Sequence, residues 1–222
     1  MGEIEAIYAH RFSEEERIAK NAIWQVLCRH FFQRYVRPED VVLDLGAGFC
    51  EFINNIQCRV RYAVDISEET ARYARPEVIG YRTPATDLSP IPDGTVDLVF
   101  CSNFFEHLPD KGAMSQTLRE IHRVLVPGGR LMILQPNIKY LYKEYWDFFD
   151  HHIPLSHLSM VEALAGHGFV PRQVIPRFMP FTSKSALPKG PFFVRLYLMF
   201  PPAWRILGRQ MFILAEKGGP AA

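Results

Sequence analysis

The run Val41-Val42-Leu43-Asp44-Leu45 passes without a break into Gly46-Ala47-Gly48. A continuous apolar run of that length suits a strand covered on both faces, which calls for a sheet with helices on either side. The glycines directly behind it let the backbone turn sharply and approach a ligand at the strand's carboxyl end. The rest of the chain supplies the partners that such a strand needs. Residues 60–65, 78–81, 96–101 and 130–134 read as further strands, the last entered through the turn Pro127-Gly128-Gly129. Residues 49–57, a short stretch capped by Ser67 and residues 112–124 read as the helices between them. This alternation implies right-handed crossovers and a parallel sheet. The expected fold class is therefore α/β, a doubly wound, mostly parallel sheet in three layers.

The flanks are different in kind. Residues 13–35 read as an amphipathic helix, with Ser13 and Glu16 spaced as a capping box. In the last third, residues 156–165 read as a helix, and residues 169–174 and 210–215 as strands. Between these strands lies an insertion at 176–208, rich in proline, aromatics and basic residues, too long for an ordinary loop. The predicted organisation is one domain over 1–222. It comprises a helical cap (1–40), a ligand-binding core (41–175), the insertion or lid (176–208), and a last strand with a tail (209–222).

Composition removes some partners. Lys and Arg number 25 against 24 Asp and Glu, so no global field favours a polyanion, and nucleic acid is not an expected partner. The first residues carry no signal-peptide pattern, and no apolar run reaches membrane-spanning length. Cys28, Cys50, Cys58 and Cys101 form no CxxC pair and read as buried reduced thiols, which places the expected location in the cytoplasm.

Asp65 ends the second strand, about twenty residues beyond the glycine turn, the distance at which an acid meets a ribose diol. Glu51 stands where a dinucleotide-binding turn would carry its third glycine, which disfavours a pyrophosphate. Asp44, just ahead of the glycines, suits a cationic ligand better than a diphosphate.

These motifs, taken in order, resemble the class I S-adenosylmethionine-dependent methyltransferases, in particular the small-molecule group, over residues 41–169. Asp44-Leu45-Gly46-Ala47-Gly48 is similar to the family's first motif, and Val64-Asp65-Ile66-Ser67 to its ribose-binding strand end. Thr86-Asp87-Leu88 resembles the segment whose acid meets the adenine amino group. Phe100-Cys101-Ser102-Asn103-Phe104-Phe105-Glu106-His107-Leu108 resembles the fourth-strand segment, and Leu125 to Leu131 the turn into strand five. The resemblance implies S-adenosyl-L-methionine as cofactor. Gly46, Ala47 and Gly48 would admit its amino-acid part, and Asp44 would hold its ammonium. Asp65 would accept from the ribose, Asp87 from the adenine amine, and Ile66 and Leu88 would sandwich the ring. Ser102, Asn103 and Phe104 would lie beside the methionine end. It also implies that the final strand runs antiparallel to its neighbours.

A hydroxyl acceptor gains from a general base. The candidates are His152 and His151, in the acid- and histidine-bearing segment after strand five, and then His107. With no third ligand in view for the adjacent histidines, no metal is expected. The expected reaction is methyl transfer to a small-molecule or glycan-like acceptor, at oxygen, in a pocket between residues 147–152 and the insertion. One alternative is a lipid-linked or membrane-associated acceptor touched by the basic, aromatic insertion. Others are a nicotinamide-dependent oxidoreductase and a binding module without an acceptor site.

Overall fold

The computed structural model describes residues 14–180 and 190–219. Seven strands form one sheet: β1 (Val41–Leu45), β2 (Val60–Asp65), β3 (Val78–Arg82), β4 (Val96–Ser102), β5 (Leu125–Pro136), β6 (Phe169–Ile175) and β7 (Gln210–Lys217). Their spatial order is β3-β2-β1-β4-β5-β7-β6. The first five run parallel, and β7 lies antiparallel between β5 and β6, as the resemblance implies. The order reverses at β1 and β4, so a crevice opens outside their carboxyl ends.

Side chains along the central strands alternate between two cores. Leu43, Leu45, Val99, Cys101, Leu131, Ile133, Met211 and Ile213 face one; Val42, Leu98, Phe100, Met132, Leu134 and Phe212 face the other. Period-two alternation with both sets apolar explains why these strands read as unbroken hydrophobic runs. The first core is covered by α3 (Lys111–Val124) and α5 (His157–Gly166), through Leu118, Ile121, Met160 and Leu164. The second is covered by α1 (Glu14–His30), through Trp24 and Leu27. Burial of each large apolar side chain stabilises by roughly 1.5–3 kcal/mol. Two short helices complete the core, α2 (Glu69–Tyr73) and α4 (Ile138–Leu141), and the insertion adds α6 (Pro191–Met199) and α7 (Pro201–Leu207).

Local chemistry sets the boundaries. Asp110 caps α3 by accepting from the Ala113 amide, and Ser156 with Ser159 forms a reciprocal capping box at α5. The Ser13 capping box expected for α1 lies outside the described residues. Residues 49–57 are turns and not the expected helix. Cys50 sits at φ 59°, and the Ile53 amide donates to Asp44 Oδ2 instead of continuing a helical ladder. Pro127-Gly128-Gly129 falls inside β5 as an irregularity, with Gly128 at φ 72°, where the register against β4 shifts.

Candidate functional site

At the carboxyl end of β1, Gly46 and Gly48 take positive φ, 73° and 49°, and fold the chain back toward β2. The amides of Gly46 and Ala47 donate to Val64 O, and that of Gly48 donates to Asp65 Oδ2 at 2.8 Å. Asp65 Oδ1 accepts from Ser67 N at 2.9 Å, so the acid at the end of β2 fastens both turns. The two glycines differ in surroundings. A Cβ on Gly46 would stand 2.4 Å from Phe104 Cδ2, whereas one on Gly48 would meet nothing within 4 Å. Gly48 therefore faces open space, the wall of a cleft of about 180 Å³. Lys20 and Trp24 of α1, Asp44, and Ser102 and Asn103 after β4 line the same cleft.

Asp44 gives the cleft its chemistry. Its carboxylate is 3% exposed, accepts from Ile53 N at 3.3 Å, and has no ion-pair partner among the described residues. Burial, reinforced by Glu51 and Asp65, pushes its pKa well above the usual carboxylate range. A buried carboxyl group so placed favours a cation. S-adenosylmethionine carries two, an ammonium and a sulfonium, so the cleft fits that group in charge and in the clearance over Gly48. At the rim, Lys20 Nζ pairs with Glu51 Oε1 at 2.9 Å.

Asn103 adopts φ 46°, and its amide donates to Leu134 O, which turns its side chain toward β7. Gln210 Nε2 donates to Asn103 Oδ1 at 2.6 Å. Gln210 and Met179 both line the cleft, and sequence reasoning missed them. They come from the far end of the chain, and only the placement of β7 beside β5 brings them in.

The expected adenine side is less complete. Ile66 is 49% exposed beside Asp65. Asp87 is exposed, and its carboxylate accepts from Ser89 N in a tight turn outside the cleft lining. Leu88 is fully buried in the core and its amide donates to Glu120 Oε2. It therefore cannot sandwich a ring here; the hydrophobic core has claimed it.

None of the three candidate histidines lines the cleft. His152 is exposed, and its amide donates to Glu106 O at 2.7 Å, pinning its segment over the 3-10 turn Phe105–His107. His151 is buried, stacked on Phe148 and tilted against Tyr145. Burial works against a charged His107, but Glu106 and Asp150 outweigh it and raise its pKa to about 9. It is thus largely protonated near neutral pH, which removes it as a general base. Its Nδ1 lies 2.9 Å from Asp150 O and 3.2 Å from Asp150 Oδ2, leaving Nε2 to face Glu106 Oε1 at 3.9 Å.

Glu106 is the residue the sequence reading passed over. It is 1% exposed, and its Oε2 has no hydrogen bond among the described residues. Glu106, His107 and His151 bring one potential ligand atom each to within 4.8 Å of one another. That carboxylate–imidazole set is of a kind able to hold a divalent ion; of the adjacent His151 and His152, only His151 belongs to it.

Residues 43–133 match the methyltransferase domain family. Over that stretch the chain is similar to methyltransferase domains, and its fold is that of S-adenosylmethionine-dependent methyltransferases. A demethylmenaquinone methyltransferase of Symbiobacterium thermophilum is 29% identical over 174 residues, 70% of this chain and 67% of that protein. A ubiquinone/menaquinone biosynthesis C-methyltransferase of Hydrogenovibrio crunogenus is 32% identical over 113 residues, 45% of this chain and 43% of that protein. The aligned part of the chain spans about half the length of several of the curated relatives it matches. A SAM-dependent methyltransferase from Archaeoglobus fulgidus superposes with TM-score 0.65 at 20% identity, covering 89% of this chain and 94% of that one. A geranyl diphosphate methyltransferase in complex with SAM superposes at 0.61 and 19% identity, covering 91% and 87%. At these identities the structural likeness is one of fold. Methyltransferases of this kind take S-adenosylmethionine as cofactor.

Proposed function

We propose that this chain transfers a methyl group from S-adenosylmethionine to a small acceptor, at an oxygen of a glycan-like or lipid-linked molecule. The observation that carries the reading is the buried, cation-seeking Asp44 beneath an open Gly48. The cofactor, when bound, supplies an electrophilic methyl group on a positively charged sulfur. Asp44 holds the positive end, Asp65 accepts from hydroxyls beside the glycine turn, and α1 closes one side of the cleft. Ser102, Asn103, Gln210 and Met179 form the wall against which the acceptor is positioned, and positioning alone supplies much of such a displacement. S-adenosylmethionine held there would supply the methyl group to an acceptor oxygen and would leave as the neutral thioether. His151 and His152, which lie outside the cleft lining, are the candidates to receive the acceptor's hydroxyl proton. A second reading, methylation at carbon, is favoured by the similarity to ubiquinone/menaquinone biosynthesis C-methyltransferases.

Calorimetric titration with S-adenosylhomocysteine tests the cofactor half, and Asp44→Asn is the informative variant. The substitution keeps the shape and removes an ionisable group whose charged form burial disfavours, so the thermal midpoint should hold or rise. Affinity should fall at least tenfold, since a charge-assisted bond contributes roughly 1.5–3 kcal/mol. Absence of binding by the unaltered chain overturns the reading. Acceptor classes are then separated by S-adenosylhomocysteine release, and oxygen from carbon by the site of the product's new methyl group. His151→Ala and His152→Ala together should lower turnover on a hydroxyl acceptor while sparing cofactor affinity.

A further inference from the structure

From residue 163 to residue 215 the sequence contains no Asp or Glu, and it contains seven Lys or Arg. In a chain whose charges otherwise cancel, this is a one-signed tract. Part of it folds as α6 and α7, each started by proline at its first turn.

The two faces of α6 are both apolar, and only one is satisfied. Val194, Tyr197 and Leu198 turn inward and pack on the core that α1 covers, and Tyr197 Oη donates to Phe178 O. Phe192, Phe193, Leu196, Met199 and Phe200 point outward, at exposures between 48% and 70%. Their spacing puts them in one stripe along the helix. On α7, Ile206 extends the patch at 73% exposure. Arg195 and Arg205 stand within it, exposed, with no ion pair among the described residues. Solvated monomers rarely present so many large apolar side chains together.

We propose that the outer face of α6 and α7 is a docking surface for an anionic lipid bilayer. An apolar stripe bordered by unpaired arginines matches the acyl–headgroup boundary of such a surface: the rings enter the boundary and the guanidinium groups meet lipid phosphates. A second copy of the chain fits less well. Self-association through this face would bury unpaired arginines with no carboxylate on the patch to receive them. The inner side of the same tract reaches the cleft, since the amides of Arg209 and Gln210 donate to Met179 O, and Met179 lines the cleft wall. A docked molecule would thus hold its acceptor side close to the lipid. That last point rests on the proposed methyl transfer, whereas the docking does not.

The test is co-sedimentation of the full chain with vesicles of phosphatidylcholine alone and of phosphatidylcholine mixed with phosphatidylglycerol. Binding is expected to the mixed vesicles and to weaken with added salt. Arg195→Gln with Arg205→Gln should weaken it about tenfold or more. Phe192→Ser with Met199→Ser and Phe200→Ser should abolish it while leaving the circular dichroism spectrum and S-adenosylhomocysteine affinity unchanged. No binding to mixed vesicles overturns the proposal. So does binding that neither set of substitutions alters, or a dimer in solution that the serine variant dissolves while vesicle binding is absent. Vesicle binding without S-adenosylhomocysteine binding would leave the docking standing and remove the methyl-transfer reading.

Discussion

The two glycines of the first turn share a sequence motif and a sign of φ, yet they should respond differently to the same substitution. Gly46→Ala places a methyl group 2.4 Å from the Phe104 ring on a backbone at φ 73°. The left-handed conformation costs about 1–2 kcal/mol and the overlap adds to it, so the thermal midpoint should drop by roughly 4–8 °C. Gly48→Ala carries the backbone penalty alone, because its methyl group projects into the cleft. A smaller loss of stability should accompany a fall in S-adenosylhomocysteine affinity of about tenfold, and unchanged affinity would place the cofactor elsewhere. His107 provides a pH signature. Its pKa rises from 6.5 to about 9 in the folded chain, so folded protein holds the extra proton between those values. Its stabilisation is complete below about pH 6.5 and disappears as pH rises through 9. Thermal midpoints should decline across that window, and His107→Gln should flatten the decline.

Among the elements, β1 and β5 are latched together at their lower ends by a single charged pair. Asp40 is 2% exposed and accepts from Arg37 N at 2.8 Å and from Arg130 Nη2 at 2.6 Å, while Arg130 Nη1 donates to Tyr35 O. Arg130→Met would strand the buried carboxylate, at a cost of about 3 kcal/mol. Adding Asp40→Asn should recover part of the loss, and chemical denaturation of the three variants measures it. The same scale shows what a sequence reveals. The central strands were legible because both faces of each are buried, which leaves a plain apolar run. Residues 49–57 were misread as a helix because Asp44, on another element, claims the Ile53 amide. Leu88 has an apolar side chain next to a motif acid, and nothing local distinguishes a ligand-facing leucine from one packed beneath α3. Glu106 sat within a recognised motif, but its proximity to His151 depends on a loop folding back from β5.

Over the whole molecule, the half of the site that was legible comes from consecutive strands, where motif order and spatial order coincide. The half that was not, Met179 and Gln210, arrives from beyond residue 175 and depends on how the sheet is closed. Charge follows the same division: the acids proposed to meet the cofactor lie in the first half of the chain, and the acid-free tract lies in the last third. The position of β7 has a consequence in time. β6 pairs with β7 alone, and β7 is also the outer neighbour of β5. During synthesis β6 is made before β7, the strand that receives it. Until residues 210–217 emerge, β5 presents an open edge and β6 has no strand to pair with. A chain stopped at residue 208 should therefore aggregate or be degraded where the full chain accumulates, because the final strand acts as the keystone of an already twisted arch.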